Sequence, residues 1–364
     1  MLPTFLNRHT MNIAALVSGG VDSSVVVPLL KDQGYDPHIF YIKIGMNDND
    51  EDWDCPSEED VEITTWIAKK YGCKFDIVDL QQEYFDRVGR YTMDTVAKGL
   101  TPNPDVMCNS LIKFGAFEEK AGYQFDRIAT GHYARQWQDE NGICWLGTAN
   151  DPVKDQTDFL GRLNYHQLSK AMFPIGHLPK AEVRLLAEKM NLPSATRHDS
   201  QGICFLGKIN YNDYIRKYLG EREGDIIELE TGRKLGKHKG FWFHTIGQRK
   251  GLGLGEGPWF VIRKDVENNI IYVSKGYDPE SQYVEVIHLA DMMAMNPAIT
   301  FTDGERIRFK IRHTPDFNTG TLKLTPQGAD IVSDKAISGV AAGQFGIIYH
   351  PTDPVVLGSG VITY

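Results

Sequence analysis

Short apolar runs and amphipathic stretches alternate along the first 130 residues of the chain. The apolar runs have the length of strands, and the stretches between them carry the capping residues, final lysines and glycines of helices. The predicted strands are residues 12–17, 36–44, 74–80 and 125–133, and the predicted helices are residues 22–34 and 57–72. Strands separated by helices of this length form a parallel sheet that is covered on both faces. The pattern therefore predicts an α/β, Rossmann-like domain whose ligands bind at the carboxyl ends of the strands.

The periodicity changes after about Gly207, where helical spacing fades and short β-type runs take over. The runs "DIIEL", "GFWFHTI", "WFVIRKD" and "NIIYVS" predict a small mixed central domain at residues 208–280. Over residues 281–364, closely spaced alternating runs predict a small antiparallel β-barrel that grips a partner. The α/β domain would then span residues 11–207, and residues 1–10 would form an N-terminal tail.

The composition is that of an ordinary globular protein, with 41% hydrophobic and 24% charged residues among 364. No apolar run approaches the roughly 18 residues that span a bilayer, so we expect no membrane segment. The five cysteines are odd in number, irregularly spaced and without a C-x-x-C pair. This pattern argues against a disulfide scaffold and against structural zinc, and it predicts a reducing, cytoplasmic location.

The charge is unevenly distributed along the chain. The net charge is −9, yet residues 45–62 carry nine acidic and no basic side chains, whereas residues 201–264 carry twelve basic and seven acidic ones. Local fields rather than the total charge steer a polyanion, so the basic region is compatible with RNA binding. Two ordinary solvated surfaces explain the same counts, and charge alone leaves both interpretations open.

The stretch "SGGVDSS", residues 18–24, joins the first predicted strand to the first predicted helix and has the outline of a phosphate-binding loop. Its glycines allow the backbone to approach an anion, the helix N-terminus adds partial positive charge, and the serines add hydroxyl donors. The lysine of the Walker loop is missing, and Asp22 stands in its place. A carboxylate repels phosphate, so a Mg²⁺ ion between Asp22 and the phosphates is the natural hypothesis.

This loop resembles that of the ATP pyrophosphatases, or PP-loop enzymes. The resemblance implies that ATP is cleaved between its α and β phosphates, that pyrophosphate is released and that AMP is attached to a substrate oxygen. The loop alone leaves the substrate open, because synthetases and ligases that adenylate a carbonyl oxygen share it with tRNA-modifying enzymes.

Two cysteines narrow the choice. Cys108 lies in "TPNPDVMCNSLIKF", where Asp105 is expected to cap a helix with Cys108 in its first turn, a position that favours the thiolate. Buried filler is the alternative for such a cysteine. Cys204 lies in the glycine-rich "DSQGICFLG", and we predict that residues 199–210 are mobile in the free enzyme. Two thiols suit sulfur insertion at an activated carbonyl, because one carries a persulfide and the other completes its cleavage by forming a disulfide.

Further motifs complete the pattern: "ATGHYAR", "KDQTDFL", "HTIGQRKGLGLG" and "AAGQFGIIY" follow in order. Together with the loop and both cysteine segments, they resemble the tRNA-specific 2-thiouridylases from about Met11 onward. The resemblance implies a transferase that uses ATP, with Mg²⁺, to thiolate the wobble uridine (U34) of tRNA. It also implies a partner that donates persulfide, either a sulfur carrier or a cysteine desulfurase. A different ATP pyrophosphatase and a non-catalytic RNA-binding protein remain the alternatives.

The same resemblance implies the roles of individual residues. Cys108 matches the nucleophile, Cys204 the persulfide carrier, and Asp105 a residue that assists catalysis. The positions that match the ATP site are Leu16, Val17, Ser18, Gly19, Gly20, Val21, Asp22, Ser23, Ile42 and Gly131. The positions that match contacts with the target base or tRNA are Asn103, Pro104, Asp105, His132, Lys154, Asp155, Gln156, Arg312, His313 and Gln344. Two departures are that the family commonly has methionine in place of Ile42 and that residues 312–317 match its pattern loosely.

Overall fold

The secondary structure comes from a computed structural model that describes residues 11–44, 57–198, 211–276, 280 and 283–364. Its strands are β1 (Ile13–Leu16), β2 (His38–Lys43), β3 (Phe75–Asp79), β4 (Arg127–Ala129), β5 (Ala134–Gln138), β6 (Cys144–Thr148), β7 (Ala171–Met172), β8 (Gly224–Glu228), β9 (Lys234–His238), β10 (Trp259–Asp265), β11 (Ile270–Lys275), β12 (Tyr283–Ala294), β13 (Glu305–Lys310), β14 (Asn318–Thr325), β15 (Gly328–Ser338), β16 (Phe345–Tyr349) and β17 (Val356–Thr363).

The α-helices are α1 (Val21–Asp32), α2 (Ser57–Tyr71), α3 (Gln81–Tyr84), α4 (Arg90–Ala97), α5 (Pro104–Cys108), α6 (Phe117–Lys120), α7 (Thr157–Leu160), α8 (Tyr165–Lys170), α9 (Lys180–Lys189) and α10 (Tyr211–Leu219). Two π-helical segments, Phe85–Gly89 and Asn109–Ala116, continue α3 into α4 and α5 into α6. Single 3₁₀ turns occur at Gly122–Gln124 and Phe241–Phe243.

The first domain is built on a parallel sheet with the strand order β3-β2-β1-β4-β7. The α/β, Rossmann-like prediction is confirmed. Strand β1 is central, and the chain moves from it to β2 and β3 on one side and to β4 and β7 on the other. A crevice opens where the strand order reverses, so the ligand site of such a sheet lies beyond the carboxyl ends of β1 and β4.

The residues of β1 alternate between two cores because both faces of the sheet are covered. Ile13 and Ala15 face the side on which α1, α2 and α9 pack. Ala14 and Leu16 face the opposite side, which also buries Cys108. Both faces of β1 are therefore buried against apolar side chains. This is why the sequence of β1 is a continuous apolar run and does not alternate between apolar and polar residues.

The central domain contains a four-stranded sheet with the order β10-β11-β8-β9, preceded by helix α10. The run "GFWFHTI" was expected to be a strand, and this expectation is wrong: it contains the 3₁₀ turn Phe241–Phe243. Phe241 packs into the core of the central sheet, whereas Phe243 packs against the core of the first domain. Residues two positions apart share one face of a strand, so a strand could not place Phe241 and Phe243 in different cores.

The last domain is a closed six-stranded antiparallel barrel with the order β12-β15-β14-β13-β16-β17, and β12 closes it against β17. The predicted barrel is confirmed. Its wall also contributes to the core of the first domain, since Phe345, Ile347 and Tyr349 of β16 belong to the cluster that buries Leu16 and Cys108. Helices long and apolar enough to cross a membrane are absent from the described part of the chain.

Candidate active site

The loop between β1 and α1 is shaped by its own serines and glycines. Ser18 N–H donates to Ser23 Oγ at 3.1 Å, and the Ser23 and Ser24 hydroxyls donate to the Gly20 carbonyl at 3.1 and 2.7 Å. Gly20 is the N-cap residue of α1 and is extended, with φ −75° and ψ 158°. The first amides of α1 have no intrahelical acceptor, so the loop presents donors where an anion would sit.

Gly19 has no room for a side chain. Its φ of +74° is left-handed, and a Cβ there would lie 2.8 Å from Asp60 Cα. Arg197 closes the loop from outside by donating to the Gly19 carbonyl at 3.0 Å and to Asp60 Oδ1 at 2.6 Å. Burial raises the pKa of the Asp60 carboxyl, and Arg197 opposes that rise. The left-handed turn is thus held against α2 by a charged bridge.

The other predicted ATP positions meet the loop at the same edge of the sheet. Gly131 follows β4, and a Cβ there would lie 2.6 Å from the Ser23 amide nitrogen, so this backbone packs directly on the start of α1. Ile42 lies near the end of β2 and is half-buried. The structure therefore brings Leu16 to Ser23, Ile42 and Gly131 together at the carboxyl end of the parallel strands.

The Asp22 carboxylate is engaged by protein groups. Lys180 Nζ donates to its two oxygens at 2.7 and 2.8 Å, and the Tyr133 hydroxyl donates to Oδ1 at 2.8 Å. No group of three or more His, Cys, Asp or Glu side chains in the described ranges is placed to hold a metal. One carboxylate already paired with an ammonium does not make a magnesium site by itself. A Mg²⁺ ion that arrives with ATP would take most of its ligands from phosphate oxygens.

The helix that carries Cys108 begins at Pro104 and is capped by Asn103, whose side chain accepts from the Val106 amide at 3.2 Å. The prediction that Asp105 caps this helix with Cys108 in the first turn is wrong. Asp105 is the second helical residue, and Cys108 is the fifth, beyond the four amides that lack acceptors. Cys108 is also 1% exposed. The helix dipole therefore acts on Cys108 less directly than the sequence suggested.

A loop of the barrel holds the segment in front of this helix. Gln344 Nε2 donates to the Pro102 carbonyl at 2.6 Å, and Asn103 Nδ2 donates to Gln344 Oε1 at 3.2 Å. The backbone adds a further bond from the Thr101 amide to the Ala342 carbonyl at 2.8 Å. Two predicted contact positions, Asn103 and Gln344, are thus brought together although they are 241 residues apart.

Residues 154–156, which were predicted to contact tRNA, pack against the segment that follows β4. Gln156 Oε1 accepts from the Tyr133 amide at 3.0 Å, next to His132. Burial lowers the pKa of the His132 imidazole well below its usual range, and the ring bonds Thr130 Oγ1 at 2.8 Å. Asp155 is 2% exposed, so its carboxylate faces the protein interior. Lys154 is half-buried.

Buried and half-buried charges join this segment to the barrel. The Asp155 carboxylate accepts from the Ala149 amide at 2.9 Å, from Thr157 Oγ1 at 2.8 Å and from Lys310 Nζ at 3.1 Å. His313 Nδ1 lies 3.1 Å from Asp158 Oδ2, which raises the pKa of the imidazole. The charges of Asp155 and Asp158 are therefore matched by basic groups of the barrel.

A cavity of about 440 Å³ lies where the three domains meet. Arg312 and Gln344 line it from the barrel, Thr101 from the first domain, and residues 245–247 of the "HTIGQRKGLGLG" segment from the central domain. Arg249 and Lys250 of that segment are exposed. The cavity brings Arg312 and Gln344 together with Thr101, which precedes the Cys108 helix, whereas His313 points toward Asp158.

Several expectations concern residues outside the described ranges. Cys204 belongs to residues 199–210, which lie outside them. The predicted mobility of that segment and the predicted pairing of Cys204 with Cys108 therefore stay predictions. The N-terminal tail, residues 1–10, lies outside as well. Cys73 and Cys144 are free thiols.

Three family models match consecutive parts of the chain. A tRNA methyl transferase HUP domain matches residues 11–208, a tRNA methyl transferase PRC-barrel domain matches residues 212–275, and an aminomethyltransferase beta-barrel domain matches residues 285–362. A protein of Parabacteroides distasonis named tRNA-specific 2-thiouridylase MnmA is 61% identical over 97% of this chain and 99% of its own length. This chain belongs to the tRNA-specific 2-thiouridylase family.

Other matches agree with this assignment or carry no weight. A tRNA-specific 2-thiouridylase MnmA of Porphyromonas gingivalis is 58% identical over 97% of this chain and 99% of its own length. The solved U34-tRNA thiolase NcsA of Methanococcus maripaludis is 19% identical, covers 57% of this chain and 66% of its own, and has a TM-score of 0.34. That score is too low to support an inference about this member of the family.

Sequence reasoning missed three residues that surround the loop: Tyr133, Lys180 and Arg197. Lys180 left one signal, because it is the first residue of α9 and follows Pro179. Acidic side chains are favoured at a helix N-terminus, and a lysine there is electrostatically unfavourable. A lysine against that preference indicates a nearby negative partner, although the sequence does not identify Asp22 as that partner.

Proposed function

We propose that this chain is a tRNA-uridine 2-sulfurtransferase that uses ATP to replace the C2 oxygen of the wobble uridine (U34) by sulfur. The observation that carries the proposal is the 61% identity to a named tRNA-specific 2-thiouridylase over 97% of the chain. The site agrees with it, because the ATP loop and the Cys108 helix lie on one sheet and share a core through Leu16.

The first step activates the uridine. The triphosphate lies over the amides of α1, and the C2 oxygen attacks the α phosphorus while the bond between the α phosphorus and the bridging oxygen breaks. Pyrophosphate leaves with the bonding electrons, and AMP remains on the former carbonyl oxygen. The N3 proton of the uridine passes to Asp105, which lies at the second position of α5 and is half-buried.

The second step transfers sulfur. The terminal sulfur of a persulfide on Cys204 attacks C2, and AMP leaves with the electrons of the C–O bond. The Cys108 thiolate then attacks the Cys204 sulfur, which breaks the S–S bond and leaves the transferred sulfur on the uridine, and Asp105 returns its proton to N3. Cys108 and Cys204 are thereby oxidised to a disulfide, and an external thiol reductant restores them. The persulfide comes from a sulfur carrier or a cysteine desulfurase.

The target uridine must leave the anticodon stack to reach the site, as bases do in enzymes that act on them. Asn103, Pro104 and Asp105 contact the base, while His132, Lys154, Gln156, Arg312, His313 and Gln344 face or support the tRNA. Exposed Arg249 and Lys250 bind phosphates without selecting bases. We place Asp155 behind these contacts, as the buried partner of Lys310. The reaction belongs in the cytoplasm, where tRNA is found and thiols stay reduced.

The deciding experiment is mass spectrometry of nucleosides from tRNA that has been incubated with the protein, ATP, Mg²⁺ and a persulfide source. We expect 2-thiouridine at the wobble position and one pyrophosphate released for each sulfur transferred. Cys108→Ala should release pyrophosphate but stop sulfur transfer. Thiolation by Cys204→Ser would contradict the persulfide scheme, and release of pyrophosphate without sulfur transfer by the unaltered protein would point to a different ATP pyrophosphatase.

A further inference from the structure

A buried lysine stands next to the phosphate loop that lacks one. Lys180 is the first residue of α9, its side chain is 11% exposed, and its ammonium contacts both Asp22 oxygens. Asp22 is the second residue of α1, so the ammonium lies beside the helix end whose amides face the triphosphate. The positive charge missing from the loop sequence is therefore supplied from a helix 158 residues later.

This lysine occupies an unfavourable position unless it interacts with an anion. Burial disfavours an ammonium, and the N-terminus of its own helix repels it. Asp22 balances one charge, yet a second helix N-terminus, that of α1, points to the same place. The Asp151 carboxylate accepts from the Lys180 amide at 2.9 Å at the start of α9, so the amides of α1 beside the Lys180 ammonium are the positive groups offered to a polyanion.

We propose that Lys180 is the cation of this PP-loop and contacts the β-phosphate oxygens of ATP and of the departing pyrophosphate. The inference rests on the proposed use of ATP. As the bond from the α phosphorus to the bridging oxygen breaks, negative charge accumulates on that oxygen. The Lys180 ammonium stabilises this charge.

Asp22 and Tyr133 are positioning residues in this scheme. Asp22 holds the ammonium in place by two contacts, and the Tyr133 hydroxyl fixes the carboxylate from the other side at 2.8 Å. Lys180 Nζ also lies 5.8 Å from the centre of the Tyr133 ring. A flexible lysine side chain held in this way is preorganised before ATP binds, so little entropy is lost when phosphate arrives.

The test compares inhibition by pyrophosphate with inhibition by AMP in full-length protein, using ATP-dependent thiolation of tRNA with a persulfide source as the assay. For Lys180→Met we expect inhibition by pyrophosphate to weaken by at least about tenfold, because a charge-assisted bond is lost, and inhibition by AMP to change by less than about twofold. Lys180→Arg should restore most of the pyrophosphate inhibition. Lys189→Met, at the exposed far end of α9, should match the unaltered protein.

A double variant separates direct contact from neutralisation of Asp22. If Lys180 contacts phosphate, Asp22→Asn combined with Lys180→Met regains only the part of the pyrophosphate inhibition that the unpaired Asp22 carboxylate had removed and stays clearly weaker than the unaltered protein. Full recovery in the double variant would mean that Lys180 only cancels the carboxylate and would overturn the inference, as would unchanged pyrophosphate inhibition in folded Lys180→Met. No ATP turnover by the unaltered protein would instead overturn the proposed function.

Discussion

The phosphate end and the tRNA end of the site are assembled in different ways. At the phosphate end, which is the loop of residues 18–24, backbone and hydroxyl groups of the loop bond one another. Its ion pair, between Lys180 and Asp22, lies within the first domain. At the tRNA end, Asn103, Asp155 and Asp158 each meet a partner in the barrel. Chemistry on ATP thus depends on one domain, whereas the support of the Cys108 helix depends on two.

The charges of the two ends differ as well. Lys180 and Asp22 are partly accessible, with side chains 11% and 31% exposed, so their pairing can be exchanged for a ligand. Lys310 and Asp155 are 1% and 2% exposed, so water and ligands are excluded from them. The first pair is suited to binding and the second to fixing one domain against another.

The largest expected effect concerns the buried pair. Lys310→Met leaves the Asp155 carboxylate without a cation in the interior, and we expect a loss of about 3–5 kcal/mol in the free energy of unfolding. Urea denaturation would measure it, and adding Asp155→Asn should recover part of the loss. The matched control is Arg306→Met, which breaks an exposed barrel pair with Asp334 and should cost far less, because solvent screens that pair. Equal losses of stability in Lys310→Met and Arg306→Met would contradict the structural role given to the buried pair.

A substitution at the phosphate end should affect ATP alone. In Gly19→Ala the new Cβ meets Asp60 Cα at 2.8 Å in a left-handed conformation. We expect kcat/KM for ATP to fall about 100-fold, since strain and displacement of the loop act together. Filter binding of tRNA should be unchanged. Gly142→Ala has a similar φ of +77° with no atom within 4 Å of its Cβ, and it should leave ATP turnover intact.

The contact between the barrel and the base segment should show the opposite selectivity. Gln344→Ala removes the bonds to Pro102 and Asn103, and we expect thiolation at saturating ATP to slow about tenfold. KM for ATP should not move. Gln344→Glu keeps an acceptor for Asn103 but loses the donor to the Pro102 carbonyl, so an intermediate rate is expected. A change in ATP affinity in either variant would contradict the separation of the two ends.

The smallest effect is a pH dependence at the barrel interface. Asp158 raises the pKa of His313 in the folded protein, so the stabilisation is fully present below about pH 6.5 and is lost as the pH rises through the raised value. His313 is 42% exposed, which limits the contribution to under about 1 kcal/mol. The stability difference between the unaltered protein and His313→Gln should shrink from pH 5.5 to pH 9. A difference that grows with pH would contradict this assignment.

The phosphate end could be predicted because its information is local. Strand β1, the loop and α1 occupy twenty consecutive residues, and glycine, serine and apolar positions there have one common explanation. The capping residue of α5 was less determined, since Asn103 and Asp105 both suit that role and only the fold shows that Asn103 takes it. The local sequence therefore predicts that a helix follows Pro102, but it does not determine which residue caps that helix.

The tRNA end and the charges around the loop depend on contacts between distant segments. The sequence around Lys180 does not indicate that its partner is Asp22. The sequence around Asp155 does not indicate that its carboxylate is buried against Lys310. The aromatic run at residues 241–243 read as a strand because its division between two cores is a property of the packed domains. Such features follow from the arrangement of domains, which short-range periodicity does not determine.

The separation of 241 positions between Asn103 and Gln344 also has a consequence during synthesis on the ribosome. Chains grow at about 5–20 residues per second, so Gln344 is added roughly ten to fifty seconds after Asn103. The loop at residues 18–24 emerges early and can fold with its own sheet, while the segment before Cys108 waits for the barrel. A nascent chain thus completes its phosphate-type loop well before the helix of Cys108 is braced by Gln344.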